Sequence, residues 1–368
     1  MKWTILRRVF GGLGVALLIS YAAGVGLTGS VILDVSATQA QSGGNVPGKV
    51  RGTFNPTDMW SAVNKGGIRG TVSIPDKQAG QLIQRNGDQW RSNRTKYIYT
   101  FGGYLLLGVF ISLAIFFALR GRIQIDAGPS GKTIERFNAL ERFTHWLTAS
   151  SFLVLGLTGL NLLYGKTVLL PIIGKSAFAN LAMLGKLTHN YISFAFMLGI
   201  TLMLVLWIKD NLPDRHDLNW LAKGGGLFVK GVHPPAKKFN AGQKFIFWVV
   251  VLGGGSISLT GITLLWPFQF ELFSSTFAFL NIFGAGLDTN LSPLQEVQLS
   301  QMWHNVMAML VLALMIAHIY IGSLGMAGAF DAVGTGQVDE NWAKEHHSLW
   351  VEETKARDAP AFEFSEDE

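Results

Sequence analysis

The sequence of 368 residues contains no cysteine. This excludes disulfide bonds, thiolate zinc sites, covalently attached c-type heme and cysteine-ligated iron–sulfur clusters within this chain. Any metal or heme that the chain binds must therefore be held by histidine or methionine.

Charged residues are also scarce. They make up 15% of the chain, against roughly 25% in ordinary soluble domains. Hydrophobic residues reach 49% and the mean hydropathy is +0.31, which predicts an integral membrane protein. The net charge of +6 is spread through loops near predicted helix ends, so we interpret it as a determinant of topology and expect no nucleic-acid partner. No nucleotide-binding glycine loop or hydrolytic triad stands out, and we predict no catalytic residue.

The amino-terminal region divides into two parts. Residues 1–40 carry Lys2, Arg7 and Arg8 ahead of a long apolar run and end in small and polar residues. This pattern predicts either a signal peptide or an uncleaved membrane anchor. Residues 41–96 are polar and contain several glycines and prolines, which predicts a mostly irregular exported segment with room for a short helix near 78–85.

Five later stretches are apolar enough to cross about 30 Å of hydrocarbon as α-helices. We predict an all-α membrane protein in which an additional helix at 97–120 precedes a four-helix domain at 121–330. One or two extra amino-terminal helices therefore accompany the four-helix bundle. The predicted helices are 97–119, 145–163, 187–208, 244–268 and 303–325.

The loops predict the orientation of these helices. Lysine and arginine crowd 120–144 and 209–244, which favours the cytoplasm for both. The loops at 164–186 and 269–302 have few cations and are predicted to lie on the opposite side. The acidic tail at 331–368 then ends in the cytoplasm, and we expect partial disorder at its last residues, FEFSEDE.

Two histidines stand in the last apolar stretch. His304 and His318 are fourteen residues apart, so in a helix they are about 21 Å apart along the axis and within roughly 40° of one face. Ionisable side chains are costly in hydrocarbon, and two on one face indicate two buried ligands at two depths. A pair of hemes is the obvious candidate, whereas helix–helix hydrogen bonding or a proton relay is the alternative.

Two further histidines match those depths. His145 lies where a helix enters from the predicted cytoplasmic side, at the depth of His318, and His189 lies where a helix enters from the outer side, at the depth of His304. We expect each pair to hold one heme iron, because neutral imidazole is a usual axial ligand. The remaining histidines are interpreted as solvated surface: His216, His233, His346 and His347.

The stretches ERFTHW, LTHNY, FNAGQKFIFW and MWHNVMAMLVLALMIAHIYIG together resemble the cytochrome b (gamma) subunit of membrane-bound respiratory formate dehydrogenases. The resemblance covers about 136–325, and 60–94 resembles the exported extension of longer family members. It implies two heme b groups, with the ligand pattern falling on the same two histidine pairs. It also places the quinone pocket at Asn240 and Gly242, beside His318, while Asn240 can serve as a helix N-cap at the same time.

The resemblance further implies a role in a larger complex. Electrons would come from a periplasmic iron–sulfur beta subunit and reduce a quinone, menaquinone or ubiquinone, near the cytoplasmic side. Formate would be oxidised on a separate alpha subunit that contains molybdenum or tungsten. This chain would be the quinone-reducing subunit, without a formate site, in the bacterial inner membrane and with a cytoplasmic carboxyl terminus.

Two other functions compete with this one. The first is the cytochrome b subunit of an uptake hydrogenase or a related respiratory complex, which also uses two bis-histidine hemes. The second is a non-redox membrane anchor or proton-relay protein, which would bind no heme. Metal content of the purified complex separates the first from a formate dehydrogenase, and heme absorption separates the second.

Overall fold

The computed structural model describes residues 87–358. The signal peptide or anchor at 1–40, the helix near 78–85, most of the exported segment and the FEFSEDE end therefore lie outside the described residues.

Within the described part, five helices are long and apolar enough to cross a membrane. This confirms the prediction of an all-α, multi-pass membrane protein. The membrane helices are α1 (Gln89–Arg120), α2 (Ala139–Val168), α3 (Leu170–Trp207), α5 (Ala241–Leu265) and α7 (Pro293–Gly325). The shorter helices are α4 (Arg215–Ala222), α6 (Leu272–Asn281), α8 (Asp331–Gly334), α9 (Glu340–His346) and α10 (Ser348–Asp358). Three stretches of membrane helix are π-helical: Asn93–Tyr99, Val249–Gly253 and Ile321–Gly325.

Four helices begin with the same sequence device. At each start a short polar side chain accepts a hydrogen bond from the third helical residue, whose own side chain accepts from the capping residue. These reciprocal pairs satisfy backbone N–H groups that the first turn of a helix leaves without partners. They are Asn138 with Glu141 in α2, Asp214 with Asp217 in α4, Asn240 with Gln243 in α5, and Ser292 with Gln295 in α7.

The helices are longer than predicted at one end of the bundle. Residues 87–96, expected to be irregular, are helical and lead into α1. Most of 164–186, expected to be a loop, belongs to α2 and α3, which meet near Leu169; the helical path breaks at Gly174, where φ is +77°. Helix α7 begins at Pro293, ten residues before the predicted start. Hydropathy marks the part of a helix that suits hydrocarbon, whereas caps and breaks determine where the helix ends.

Small residues allow the helices to approach closely. A methyl carbon added at Gly199 of α3 would lie 2.3 Å from Thr148 Oγ1 of α2, and one added at Gly102 of α1 would lie 3.1 Å from Met309 Cγ of α7. Such contacts are typical of membrane helices, whose association depends on close packing. They fix α2 against α3 and α1 against α7, and thereby set the positions of the histidines.

The segments before α2 and after α7 fold together at the end of the bundle where α2 begins, here called the basal end. Strand β1 (Thr133–Glu135) pairs antiparallel with β2 (Gln337–Asp339), and Ile123 bridges to Met326. Their apolar side chains join those at the ends of α3 and α5 in one core. The described part of the tail is therefore folded onto the bundle. Buried members of this core include Phe137, Trp207, Phe239, Val338, Trp342 and Trp350.

Candidate functional site

The four intramembrane histidines form two pairs in the structure. The ring centres of His145 and His318 are 6.5 Å apart at the basal end. The ring centres of His189 and His304 are 6.3 Å apart at the opposite end. Helix α7 supplies one member of each pair, and its two histidines are about 21 Å apart along the axis at 1.5 Å per residue.

These separations suit one metal ion between each pair of rings. A metal–imidazole bond of about 2.0–2.1 Å, plus about 1.2 Å from nitrogen to ring centre, would give about 6.4–6.6 Å between two ring centres if both rings bound one ion from opposite sides. The observed distances of 6.5 and 6.3 Å agree with that sum. The residues present therefore fit bis-histidine heme sites, while their role as ligands stays a prediction.

Hydrogen bonds orient the rings of the pair at the end opposite the basal end. Nδ1 of His189 lies 2.9 Å from Thr158 Oγ1. Nδ1 of His304 lies 3.2 Å from Thr260 Oγ1 and 3.1 Å from the Ile257 carbonyl oxygen. Because a hydroxyl or carbonyl occupies Nδ1, Nε2 is the nitrogen left for a metal. Partners of this kind fix the tautomer and orientation of metal-binding histidines.

Glycines leave space beside the same two rings. A methyl carbon added at Gly159 of α2 would lie 3.4 Å from Cε1 of His189, and one added at Gly261 of α5 would lie 3.5 Å from Cε1 of His304. Larger side chains at these positions would compete with the imidazoles for space. Glycine at both positions therefore lets each helix backbone approach the edge of a histidine ring.

The basal pair has a different environment. Nδ1 of His145 is buried and has no hydrogen-bond partner within residues 87–358, an unusual condition for a buried ring nitrogen. The neighbouring Trp146 donates from Nε1 to the Val333 carbonyl, 2.9 Å away, and packs against Phe330. The start of α2 is thus held by the folded tail, and His145 keeps a free nitrogen for a ligand.

Asn240 and Gly242 lie in the first turn of α5. Asn240 Oδ1 accepts from the Gln243 amide at 3.0 Å, and the Asn240 carbonyl accepts from Lys244, so Asn240 is the N-cap of the helix. Gly242 lies in the first turn of the helix, where a backbone N–H has no carbonyl of the same helix to bind. Its amide is therefore free to donate to a ligand. Within the described residues, no hydrogen bond joins either residue to His318. The structure therefore neither assembles nor contradicts the predicted quinone pocket.

Buried ion pairs at the basal end were not anticipated. Lys244 is 5% exposed, and its Nζ lies 3.0 Å from Asp214 and 2.9 Å from Asp217. Lys238 Nζ lies 2.6 Å from Glu141, a carboxylate that also accepts from Trp207 Nε1 at 2.9 Å. In the sequence these lysines are part of a basic loop, and nothing distinguishes them from cations that only determine topology.

The interpretation of His347 as solvated surface is wrong. Its side chain is fully buried, Nε2 lies 3.0 Å from Arg136 Nη2 and Nδ1 lies 2.8 Å from the Lys237 carbonyl oxygen. Burial, reinforced by the charge of Arg136, lowers the pKa of His347 well below its usual value. Burial likewise lowers the pKa of Arg136 to about 9. The neutral imidazole is the form that suits a site next to a buried guanidinium.

The other histidines outside the membrane differ from one another. The interpretation of His346 as solvated surface is also wrong: the residue is partly buried, and its Nε2 is buried without a hydrogen-bond partner in the described part of the chain. Its ring centre is 6.3 Å from that of His233, which is paired with Asp126 at 3.1 Å. His216 caps nothing itself, and its amide donates to Asp214 at the start of α4. None of the three contacts the membrane histidine pairs through a described hydrogen bond.

The sequence is similar to a known protein family and to several characterised proteins. The family model described as prokaryotic cytochrome b561 matches residues 136–333, about half of the chain. The nitrate-inducible formate dehydrogenase cytochrome b556(Fdn) subunit of Escherichia coli K12 is 24% identical over 230 residues, which cover 62% of this chain and 94% of that protein. The cytochrome b556(fdo) subunit of the same strain is 24% identical over 224 residues, 61% of this chain and 94% of that protein.

A formate dehydrogenase cytochrome b556 subunit from Haemophilus influenzae is 27% identical over 224 residues, which cover 60% of this chain and 83% of that protein. These similarities confirm the resemblance to formate dehydrogenase cytochrome b subunits that the motifs indicate. The matched region contains all four membrane histidines, together with Asn240 and Gly242 of the predicted quinone pocket. The chain belongs to the prokaryotic cytochrome b561 family.

Proposed function

We propose that this chain is the cytochrome b subunit of a formate dehydrogenase complex and that it binds two b-type hemes. His145 with His318 would hold the basal heme, and His189 with His304 the other. The observation that carries the proposal is the presence of two imidazole pairs, with ring centres 6.5 and 6.3 Å apart, at two levels of one helix bundle. The names of the relatives and the family supply the cofactor type.

When bound, the two hemes supply one-electron transfer across the membrane toward a quinone, menaquinone or ubiquinone. The chain's own residues have supporting tasks. Thr158 and Thr260 hold the rings of His189 and His304 in one orientation. The Gly242 amide donates to a quinone carbonyl, and the Asn240 side chain and the second ring nitrogen of His318 complete the pocket. Water at the basal surface supplies the protons that quinone reduction consumes.

The partners and orientation follow from the same proposal. An iron–sulfur subunit delivers electrons at the end of the bundle that bears His189 and His304, and through it the chain joins a molybdenum- or tungsten-containing subunit where formate is oxidised. The basal end, with its lysine-rich connections, faces the cytoplasm of a bacterial inner membrane. The carboxyl terminus is then cytoplasmic, because α7 ends at the basal end.

Heme content and metal content test the proposal. A pyridine hemochrome assay on the detergent-solubilised complex should give two b-type hemes per chain, and the complex should contain molybdenum or tungsten. Nickel in place of these metals would assign the chain to a hydrogenase. Absence of heme from membrane-inserted protein made in heme-replete cells would favour the anchor or proton-relay function.

The quinone pocket has its own test. Asn240→Ala removes an amide from the pocket and also a helix cap, which alone costs about 1 kcal/mol of stability. Asn240→Ser lacks the amide but keeps a capping side chain, so it controls for the loss of the cap. We expect both variants to slow quinone reduction and to retain the reduced heme spectrum. Normal quinone turnover in Asn240→Ala would contradict the pocket.

A further inference from the structure

The indole of Trp220, on α4, lies between two glycines. A methyl carbon added at Gly225 would lie 2.3 Å from Trp220 Cζ2, and one added at Gly242 would lie 2.8 Å from Trp220 Cη2. Real Cβ atoms do not approach other atoms this closely, so both positions require glycine while the indole stays in place. Gly225 also has φ of +64°, which favours glycine. The ring therefore lies directly against the backbone of the first turn of α5.

Contacts at the start of α4, the end of the helix away from Trp220, fix the position of the indole. Asp214 and Asp217 form the capping box that begins α4. The same two carboxylates bind the buried Nζ of Lys244, at 3.0 and 2.9 Å, and Lys244 is on α5 two residues after Gly242. Helix α4 is thereby fixed to the first turn of α5 by a buried ion pair. Trp220 itself is partly exposed and not fully buried.

We propose that Trp220 forms a wall of the quinone site and contributes to its selectivity for flat aromatic rings. The proposal rests on the proposed function, which places a quinone at the Gly242 amide. A quinone whose carbonyl accepts from that amide lies beside the indole, because the indole touches the same residue. Aromatic rings in offset-stacked or edge-to-face contact gain free energy beyond the area that they bury. The Trp220 indole can therefore stack on the quinone ring while the Gly242 amide donates a hydrogen bond to its carbonyl.

The test compares Trp220→Leu with Trp220→Phe in the complete complex. Leucine removes the aromatic surface, and phenylalanine keeps a smaller ring. For Trp220→Leu, we expect KM for menadione, a soluble naphthoquinone, to rise about tenfold, in line with aromatic pair energies, with kcat and the heme spectrum unchanged. For Trp220→Phe, we expect a rise of about threefold or less. Phe228→Leu is the matched control on the same connection, since Phe228 is exposed and remote from α5 in its described contacts.

A second readout does not depend on turnover. Binding of a fluorescent hydroxyquinoline N-oxide, a quinone analogue, to the oxidised complex should weaken about tenfold in Trp220→Leu, to the same extent as KM rises. If leucine costs the complex its heme, Gly242→Ala replaces it. The added methyl group would lie 2.8 Å from Cη2 and must displace the indole, so it should weaken binding of the analogue as well.

The outcomes separate this inference from the proposed function. If Trp220→Leu leaves KM and analogue affinity unchanged while Asn240→Ala raises KM and weakens analogue binding, Trp220 does not form a wall of the site, but the proposed quinone pocket stands. Unchanged values in both variants would overturn the pocket itself. Unchanged affinity in Gly242→Ala would overturn the wall if the leucine variant loses heme.

Discussion

The effect of replacing Gly159 should depend on the size of the new side chain. A small side chain should leave the heme proposed at His189 and His304 in place, and a large one should weaken its binding. A methyl carbon at this position would lie 3.4 Å from Cε1 and 3.9 Å from Nδ1 of His189. These are ordinary van der Waals distances, so Gly159→Ala should retain both hemes. The further carbon atoms of Gly159→Leu would have to occupy the space of the imidazole. Overpacking of this kind costs about 1–3 kcal/mol, equivalent to about 5- to 150-fold weaker binding of the heme at His189 and His304.

The assay is the dithionite-reduced minus oxidised spectrum, with heme per chain from the pyridine hemochrome. Wild type and Gly159→Ala should have two hemes, and Gly159→Leu should have fewer than two or bind the second heme measurably more weakly. Gly108→Leu is the control, because Gly108 lies on α1 with open space around it and should keep both hemes. Two tightly bound hemes with an unshifted spectrum in Gly159→Leu would refute the placement of His189 as a ligand beside α2.

Two further predictions concern the basal end. Lys244→Met leaves Asp214 and Asp217 without their buried cation, so the thermal midpoint in detergent should fall by an amount equivalent to about 3 kcal/mol; an unchanged midpoint would show that the pair is unimportant for stability. Burial, together with the charges of His233 and Arg136, lowers the pKa of His346 from 6.5 to about 4. The unfolded segment therefore binds a proton that the folded one excludes, and the stability is complete above pH 6.5 and falls toward pH 4 by about 1.4 kcal/mol per pH unit. Proteolysis of the carboxyl-terminal segment should accelerate from pH 8 to pH 5, and equal rates at both values would contradict this.

The membrane helices could be predicted from the sequence because each signal is local. Long apolar stretches separated by charged loops identify the spans, and the fourteen-residue spacing of His304 and His318 places two levels on one helix. The extensions of α2 and α3 beyond the predicted spans could not be read in this way. Residues 164–186 contain Pro171 and Gly174 and resemble a loop, yet the chain is helical there apart from the junction at Leu169 and the break at Gly174, where φ is +77°.

The basal core was beyond sequence reasoning because it depends on contacts between distant segments. His347 looks like a surface residue in a charged tail, and only the pairing of β1 with β2 brings the tail onto Arg136 and the 237–238 backbone. Lys244 likewise looks like one cation among many until α4 is placed against α5. A signal for burial is available in retrospect: Trp342 and Trp350 flank the histidines in an otherwise polar segment and are poorly suited to a solvated tail.

The contact between Trp220 and Gly242 also joins segments that are distant in the sequence. The tryptophan and the GGG stretch at 224–226 are close in sequence, but the approach of the indole to Gly242 requires the fold. Asn240 was recognised from sequence as a possible cap, and the structure bears this out in the reciprocal bonds between Asn240 and Gln243. Local capping chemistry is thus legible from sequence, whereas the surroundings of the cap are not.

The most direct test of the central hypothesis is heme per chain in two double variants. If His145 pairs with His318 and His189 with His304, His189→Ala with His304→Ala removes both ligands of one site and leaves one b-type heme per chain. His145→Ala with His304→Ala removes one ligand from each site and should leave about none stably bound. One heme in the first variant and none in the second is the predicted result. Two hemes in the first variant, or an undiminished heme content in the second, would contradict the assignment of these histidines.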